Sequence, residues 1–191
     1  MGKTGRETVY VKNAAGLRRW FEKNHASSPG VWLVINKKNS RKPGIYYEEA
    51  VEEALSFGWI DGRLNPLDGD QYLLLFSPRK PGGTWARSNK ERVAKLIEQG
   101  RMTQAGLARI EAAKRDGSWD ALDTSDNLDI PPDLERALSR NKTARKTFEA
   151  WSDSYKKRVI FWIGSAKREE TRAKRVALTV SAASGERKPF E

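Results

Sequence analysis

Apolar positions along the chain change period several times, and each change marks an element. Residues 7–11 read as a short strand, after which Leu17, Trp20 and Phe21 fall at helical spacing over residues 14–24, with Asn13 placed as the N-cap. Following the Pro29-Gly30 turn, residues 31–35 form a continuous apolar run rich in β-branched side chains, the pattern of a central strand covered on both faces. Helical period returns over residues 46–57. Tyr47, Val51, Ala54 and Leu55 share one face, Glu48, Glu49, Glu52 and Glu53 crowd the other, and Gly58 is placed to end the helix.

Residues 59–64 and 71–77 flank a Pro- and Asp-Gly-containing turn and predict two antiparallel strands. Strict alternation puts Trp59, Asp61 and Arg63 on one face and Ile60 and Leu64 on the other. Ser88 to Glu91 has the spacing of a capping box, which predicts a helix burying Val93, Leu96 and Ile97 before Gly100. Thr103 is placed to cap the next helix, which buries Leu107 and Ile110 and ends near Gly117. From Pro132 onward only helices are expected. Their buried residues are Leu134 and Leu138; Phe148 and Trp151; Tyr155, Val159, Trp162 and Ile163; and finally Ala173, Val176, Ala177 and Val180.

The predicted architecture is α+β: a small mixed sheet with a β-hairpin and packed helices over residues 1–115, an acidic connector over 116–130, an all-helical lobe over 131–184 and a tail over 185–191. The connector holds five aspartates and no basic residue, and is too polar to pack by itself. No apolar run reaches the length of a membrane span, and the first residues lack an apolar export segment, so the expected address is cytoplasmic.

Composition then narrows the chemistry. With no cysteine and one histidine, His25, the chain cannot build a thiolate or histidine-rich metal centre, and no cofactor is expected. His25 follows an amphipathic helix and reads as a cap or surface residue in preference to a general base. No nucleophile elbow, paired metal-ligand motif or dinucleotide fingerprint occurs. The net charge of +11 favours anionic partners, although it serves solubility equally.

Three places hold candidate chemistry. Trp59, Asp61 and Arg63, joined by Arg79, Trp85 and Asn89, have the makings of a cleft that stacks a planar ligand and grips an anion with the Arg79 fork; the alternative is an internal Asp61–Arg79 ion pair among buried tryptophans. The loop from Arg79 to Thr84 exposes glycine backbone ahead of a helix, an anion cradle or a plain loop. Arg168, Arg172 and Arg175 form a guanidinium stripe suited to a phosphate backbone, against a salt-laced surface in which Glu169 and Glu170 pair with Arg172 and Lys174.

Residues 53–62 (EALSFGWIDG), 76–79 (FSPR) with Trp85 and Asn89, 100–103 (GRMT), and Trp162-Ile163 followed by 166–172 (AKREETR) resemble the YdeI/OmpD-associated family of bacterial proteins, also described as bacteriocin-protection proteins. The likeness runs from about Trp20 to Ser184. It implies tolerance of bacteriocins or cationic peptides and, by the family name, a porin partner and in some descriptions a periplasmic address. It implies no catalytic residues. The expected function is therefore a non-catalytic binding or stress-protection protein with an anionic ligand or a protein as partner. The alternatives are a nucleic-acid-binding module using Arg168, Arg172 and Arg175, and a small-molecule enzyme centred on Asp61.

Overall fold

The computed structural model describes residues 6–185; the expected tail lies outside them apart from Gly185. The described residues divide into two compact units, the first ending at Trp119 and the second beginning at Asp120. In the first, the order is β1 (Thr8–Val9), α1 (Ala14–Asn24), β2 (Val31–Asn36), β3 (Ile45–Tyr46), α2 (Tyr47–Ser56), β4 (Trp59–Pro66), β5 (Gln71–Pro78), α3 (Arg87–Glu98) and α4 (Gln104–Asp116).

The sheet is mixed, in the order β1-β2-β5-β4 with β3 also on β2; β1 and β3 run parallel to β2, while β5 is antiparallel to both β2 and β4. All six residues of β2 are buried: residues 31–35 as their unbroken apolar run requires, and Asn36 because its side chain donates to the Lys42 carbonyl at 2.7 Å and accepts from Gln71 at 2.8 Å. Val31, Leu33 and Ile35 join Leu74 and Phe76 in a core with Leu17 and Phe21 of α1 and Val51, Ala54 and Leu55 of α2. The Asn13 side chain caps α1 by accepting from the Gly16 N–H at 2.9 Å. Gly58, at φ 74°, ends α2 in the left-handed conformation. In the hairpin turn, Asp68 accepts from the Asp70 and Gln71 amides at 2.7 and 2.8 Å. Its carboxyl is held down at about 2, chiefly by the hydrogen bond from Lys42.

Several expectations change on the structure. The register of β4 on β5 slips between Asp61, opposite Phe76, and Leu64, opposite Leu74, so Gly62 and Arg63 together oppose one residue. This bulge resets the alternation: Arg63 leaves the face of Trp59 and Asp61 and lies over the Trp32 ring, 5.6 Å from its centroid. Glu53, assigned to the solvated face of α2, is 4% exposed. It meets Arg18 at 3.2 Å and Arg101 at 2.8 Å, while Arg101 also reaches Glu52 at 2.7 Å. The glutamate face of α2 is thus laced to its neighbours. Helix α3 starts at Arg87, so Ser88 does not cap it, and Ile97 is 51% exposed on its far side.

The stretch read as an acidic connector divides between the units. Trp119 packs against the core of the first, its ring 5.0 Å from that of Trp85. In the second, α5 (Asp123–Asp126) packs on α8 (Asp153–Gly164), with Lys157 reaching Asp126 at 3.4 Å. The other helices are α6 (Pro132–Ser139), α7 (Lys142–Ala150) and α9 (Glu169–Ala183). Leu134, Leu138, Phe148, Val159, Ile163 and Val176 fill their common core.

Helices α6 and α9 run side by side in the same direction. The pair of Arg172 with Asp133, at 2.7 and 2.9 Å, ties their N-terminal ends, and Asn141 donating to Ser184 at 2.9 Å ties their C-terminal ends. Helix α9 buries Val176, Thr179, Ala182 and Ala183, whereas Ala173 and Ala177, expected inside, are exposed.

The Asp133–Arg172 pair gives this unit an acid-sensitive joint. Hydrogen bonding from Arg172 holds the Asp133 carboxyl below its usual range. The folded-state value lies below the unfolded one, so the unfolded chain binds more protons in acid. Its stabilisation is complete above the unfolded carboxylate value of about 4 and is lost as pH falls through the depressed value. Urea midpoints between pH 5 and 2 are expected to fall less steeply for Asp133→Asn than for the wild type. Parallel slopes would remove the pair from the account.

Candidate functional site

In the first unit the sequence-derived candidates separate into two groups. Trp59, at the start of β4, is 1% exposed and belongs to the core. Its ring meets Trp20 and Phe21 edge-on at centroid distances of 5.9 and 5.2 Å, and its Nε1 donates to the His25 carbonyl at 3.3 Å. His25 itself ends α1, its Nδ1 2.8 Å from the Phe21 carbonyl oxygen. Arg63 lies on the opposite sheet face, as above. Asn89, in the first turn of α3, is half-buried.

The structure does gather Asp61, Arg79 and Trp85. Arg79 follows β5, anchored by its N–H to the Gly58 carbonyl at 3.0 Å, and its side chain is buried. The guanidinium carbon sits 3.6 Å from the centroid of the Trp85 ring, a close cation–π stack. Nη1 donates to the Thr84 carbonyl at 3.2 Å. Nε and Nη2 are buried without a hydrogen-bond partner. Burial lowers the Arg79 pKa to about 10, opposed by the field of Asp61, so the group stays cationic at neutral pH. The expected internal Asp61–Arg79 pair is therefore a field effect without a hydrogen bond.

Asp61 instead accepts from the Tyr47 hydroxyl at 3.2 Å. Burial first, and Asp61 second, push the Tyr47 phenol up to about 12. The same two causes raise Tyr72. Tyr47 opens α2, and its spacing marked it only as a core residue; nothing in the sequence signals its contact with Asp61 across the sheet face.

In the second unit two arginines of the stripe, Arg172 and Arg175, are held by intramolecular contacts. Arg172 grips Asp133, and Arg175 donates to the Trp162 carbonyl and, at 3.0 Å, to Ser165 Oγ, with its guanidinium 5.1 Å from the Trp162 ring centroid. Arg168 is exposed at the N-cap of α9, and Lys174 pairs with Glu170 at 2.9 Å.

Beside this stripe lies an open groove between α6 and α9, of about 570 Å³, whose walls include Ala137, Ala173, Val176, Ala177 and Val180. Its ends differ in charge. Asp133 and Glu169 stand where the two helices begin, and Arg140 where α6 ends. The signal for it was present in the sequence, because α9 carries more apolar positions than one neighbouring face can cover. Among the described residues, no helix is long and apolar enough to cross a membrane.

Comparison with known families divides the chain in a related way. Residues 9–109 match the model described as a domain of unknown function, DUF8412. Residues 127–185 match the model described as bacteriocin-protection, YdeI or OmpD-associated. The motif of residues 162–172 falls inside the second match, whereas those of residues 53–103 fall inside the first. No curated protein and no solved structure matches the chain.

Proposed function

Because this chain belongs to the YdeI/OmpD-associated, bacteriocin-protection family through residues 127–185, joined to the DUF8412 domain over 9–109, we propose that it is a non-catalytic binding protein of the protection type. Its C-terminal unit docks a short amphipathic peptide helix along the α6–α9 groove. The observation that carries this reading is the groove itself: an open, alanine- and valine-walled channel of about 570 Å³ within the residues that match the family. An apolar channel between two helices, lined by small side chains, lets a third helix approach closely and cover both.

The charges at the two ends favour one direction of docking. Cationic side chains of the peptide sit near Glu169 and Asp133, and its acidic or C-terminal end lies near Arg140. Glu169 is the stronger anchor, since both oxygens of Asp133 are already engaged by Arg172. Protection then follows from sequestration, since a peptide held in the groove has its apolar face covered.

The test is a fluorescence-anisotropy titration of a labelled model helix of leucine and lysine against the wild type and Ala177→Arg. Ala177 is exposed, so arginine is tolerated by the fold and fills the channel. Saturable binding is expected for the wild type and an affinity roughly tenfold or more weaker for the variant, equivalent to about 1.4 kcal/mol, at unchanged melting temperature. Equal affinity for the two proteins, or none for either, overturns the reading.

A further inference from the structure

A second site, independent of the groove, is legible in the surroundings of Arg79. A guanidinium carries five N–H donors in a planar fork, and burying it calls for hydrogen-bond partners and a compensating charge. Arg79 is 5% exposed and has only part of either. One edge is met by the Thr84 carbonyl and one face by the Trp85 ring. The neighbouring carboxylate of Asp61 is turned to Tyr47. What remains, Nε and Nη2, is the adjacent donor pair that grips both oxygens of one carboxylate in parallel.

The space beside the side chain fits that requirement. Arg79, Gly82, Gly83, Trp85, Asp116 and Ser118 border a small hollow of about 30 Å³. A water needs about 10–15 Å³ on this measure, so the hollow has room for a group of two or three heavy atoms. The Ser118 hydroxyl, also on its wall, is buried without a hydrogen bond of good geometry, though its proximity draws the Asp116 carboxyl below the usual range. Asp116 itself is held by backbone, one oxygen accepting from Gly82 N–H at 3.1 Å and the other from Ser118 N–H at 2.9 Å. The carboxylate field that reaches Arg79 is that of Asp61.

We infer that this hollow binds a single small carboxylate group, held bidentate on the Nε–Nη2 edge of Arg79 over the Trp85 ring, with Ser118 Oγ as an additional donor. The size sets the class: formate, or the head of a slender carboxylic acid entering past the exposed Lys80–Gly83 loop, fits, and a tetrahedral sulfate or phosphate exceeds the hollow. Binding completes the hydrogen bonds of a buried cation, so ligand and fold stabilise one another.

The full chain is titrated with ¹³C-formate, with sodium chloride and sodium sulfate at matched ionic strength as controls. Saturable broadening of the formate signal and a rise in melting temperature beyond both controls are expected. Arg79→Lys keeps the charge and loses the planar fork, and is expected to weaken formate binding by roughly tenfold or more. Absence of a formate effect beyond the salts overturns the inference, as does full binding by the lysine variant. If that variant does not fold, the wild-type backbone amides of Thr84, Trp85 and Ser118 decide the matter. Formate-dependent shifts confined to them support the site, and shifts elsewhere or none refute it.

Discussion

Substituting valine for Gly106 is expected to lower the stability of the first unit by about 3 kcal/mol or more, at or above the upper end of what overpacking costs. The reason is a backbone approach. A Cβ on Gly106 would lie 2.3 Å from the Ser56 carbonyl oxygen and 2.7 Å from Met102 Cε. Methionine can move; the carbonyl cannot. It closes α2 against the first turn of α4, accepting from Thr103 N–H at 3.1 Å and Thr103 Oγ1 at 2.7 Å. The same threonine oxygen caps α4 by accepting from Gly106 N–H at 3.3 Å. A valine side chain must force the helices apart and break both bonds to Ser56, leaving its carbonyl short of partners at a buried junction. A urea unfolding series with tryptophan emission measures the effect. A shift below 1 kcal/mol would show that the α2–α4 contact is looser than the geometry indicates.

Trp59→Ala is the second large effect, an expected loss of about 3–5 kcal/mol, the usual cost of removing a large aromatic side chain from a packed core. Trp59 is among the largest fully buried side chains and ties α1 to the sheet through Trp20, Phe21 and the His25 carbonyl. The experiment also separates two roles for the residue. A ligand-stacking indole on an open wall would be lost at little cost to stability. A core indole takes much of the unit's margin with it, since a domain of this size is stable by only about 5–15 kcal/mol in total. Differential calorimetry should show a large fall in melting temperature, and a change of only a degree or two would return Trp59 to the surface.

The elements were legible in the sequence where a local rule governs them. Asn13 caps α1 because its short side chain accepts from the N–H of Gly16, three residues on, a contact that needs no tertiary partner. The unbroken run of residues 31–35 has no polar residue to expose, and Gly58 ends α2 because the next step of the chain needs a positive φ. Helices α6 to α9 followed from apolar spacing and, for α6, from the prolines at its start, whereas α5 lay in the stretch read as a connector.

What escaped depended on partners distant in the chain. Period-two alternation cannot show that Gly62 and Arg63 oppose a single residue, and that one slip moved Arg63 to the other sheet face. The burial of Glu53 depends on Arg18 and Arg101, 35 and 48 residues away. The two exposed alanines of α9 look like core residues until the helix beside them is placed. The candidate site was partly visible for the same reason. Arginine and tryptophan near a glycine-rich turn pointed to Arg79 and Trp85, but burial sent Trp59 into the core and left the guanidinium with one edge unmatched.

Amide hydrogen exchange on the full chain, with and without saturating leucine–lysine model helix, tests most directly whether the α6–α9 channel is the docking surface. Slowed exchange concentrated in residues 133–141 and 169–184, with the β-sheet amides unchanged, is the predicted result. Protection spread over the basic surface, or confined to residues 6–119, would contradict it.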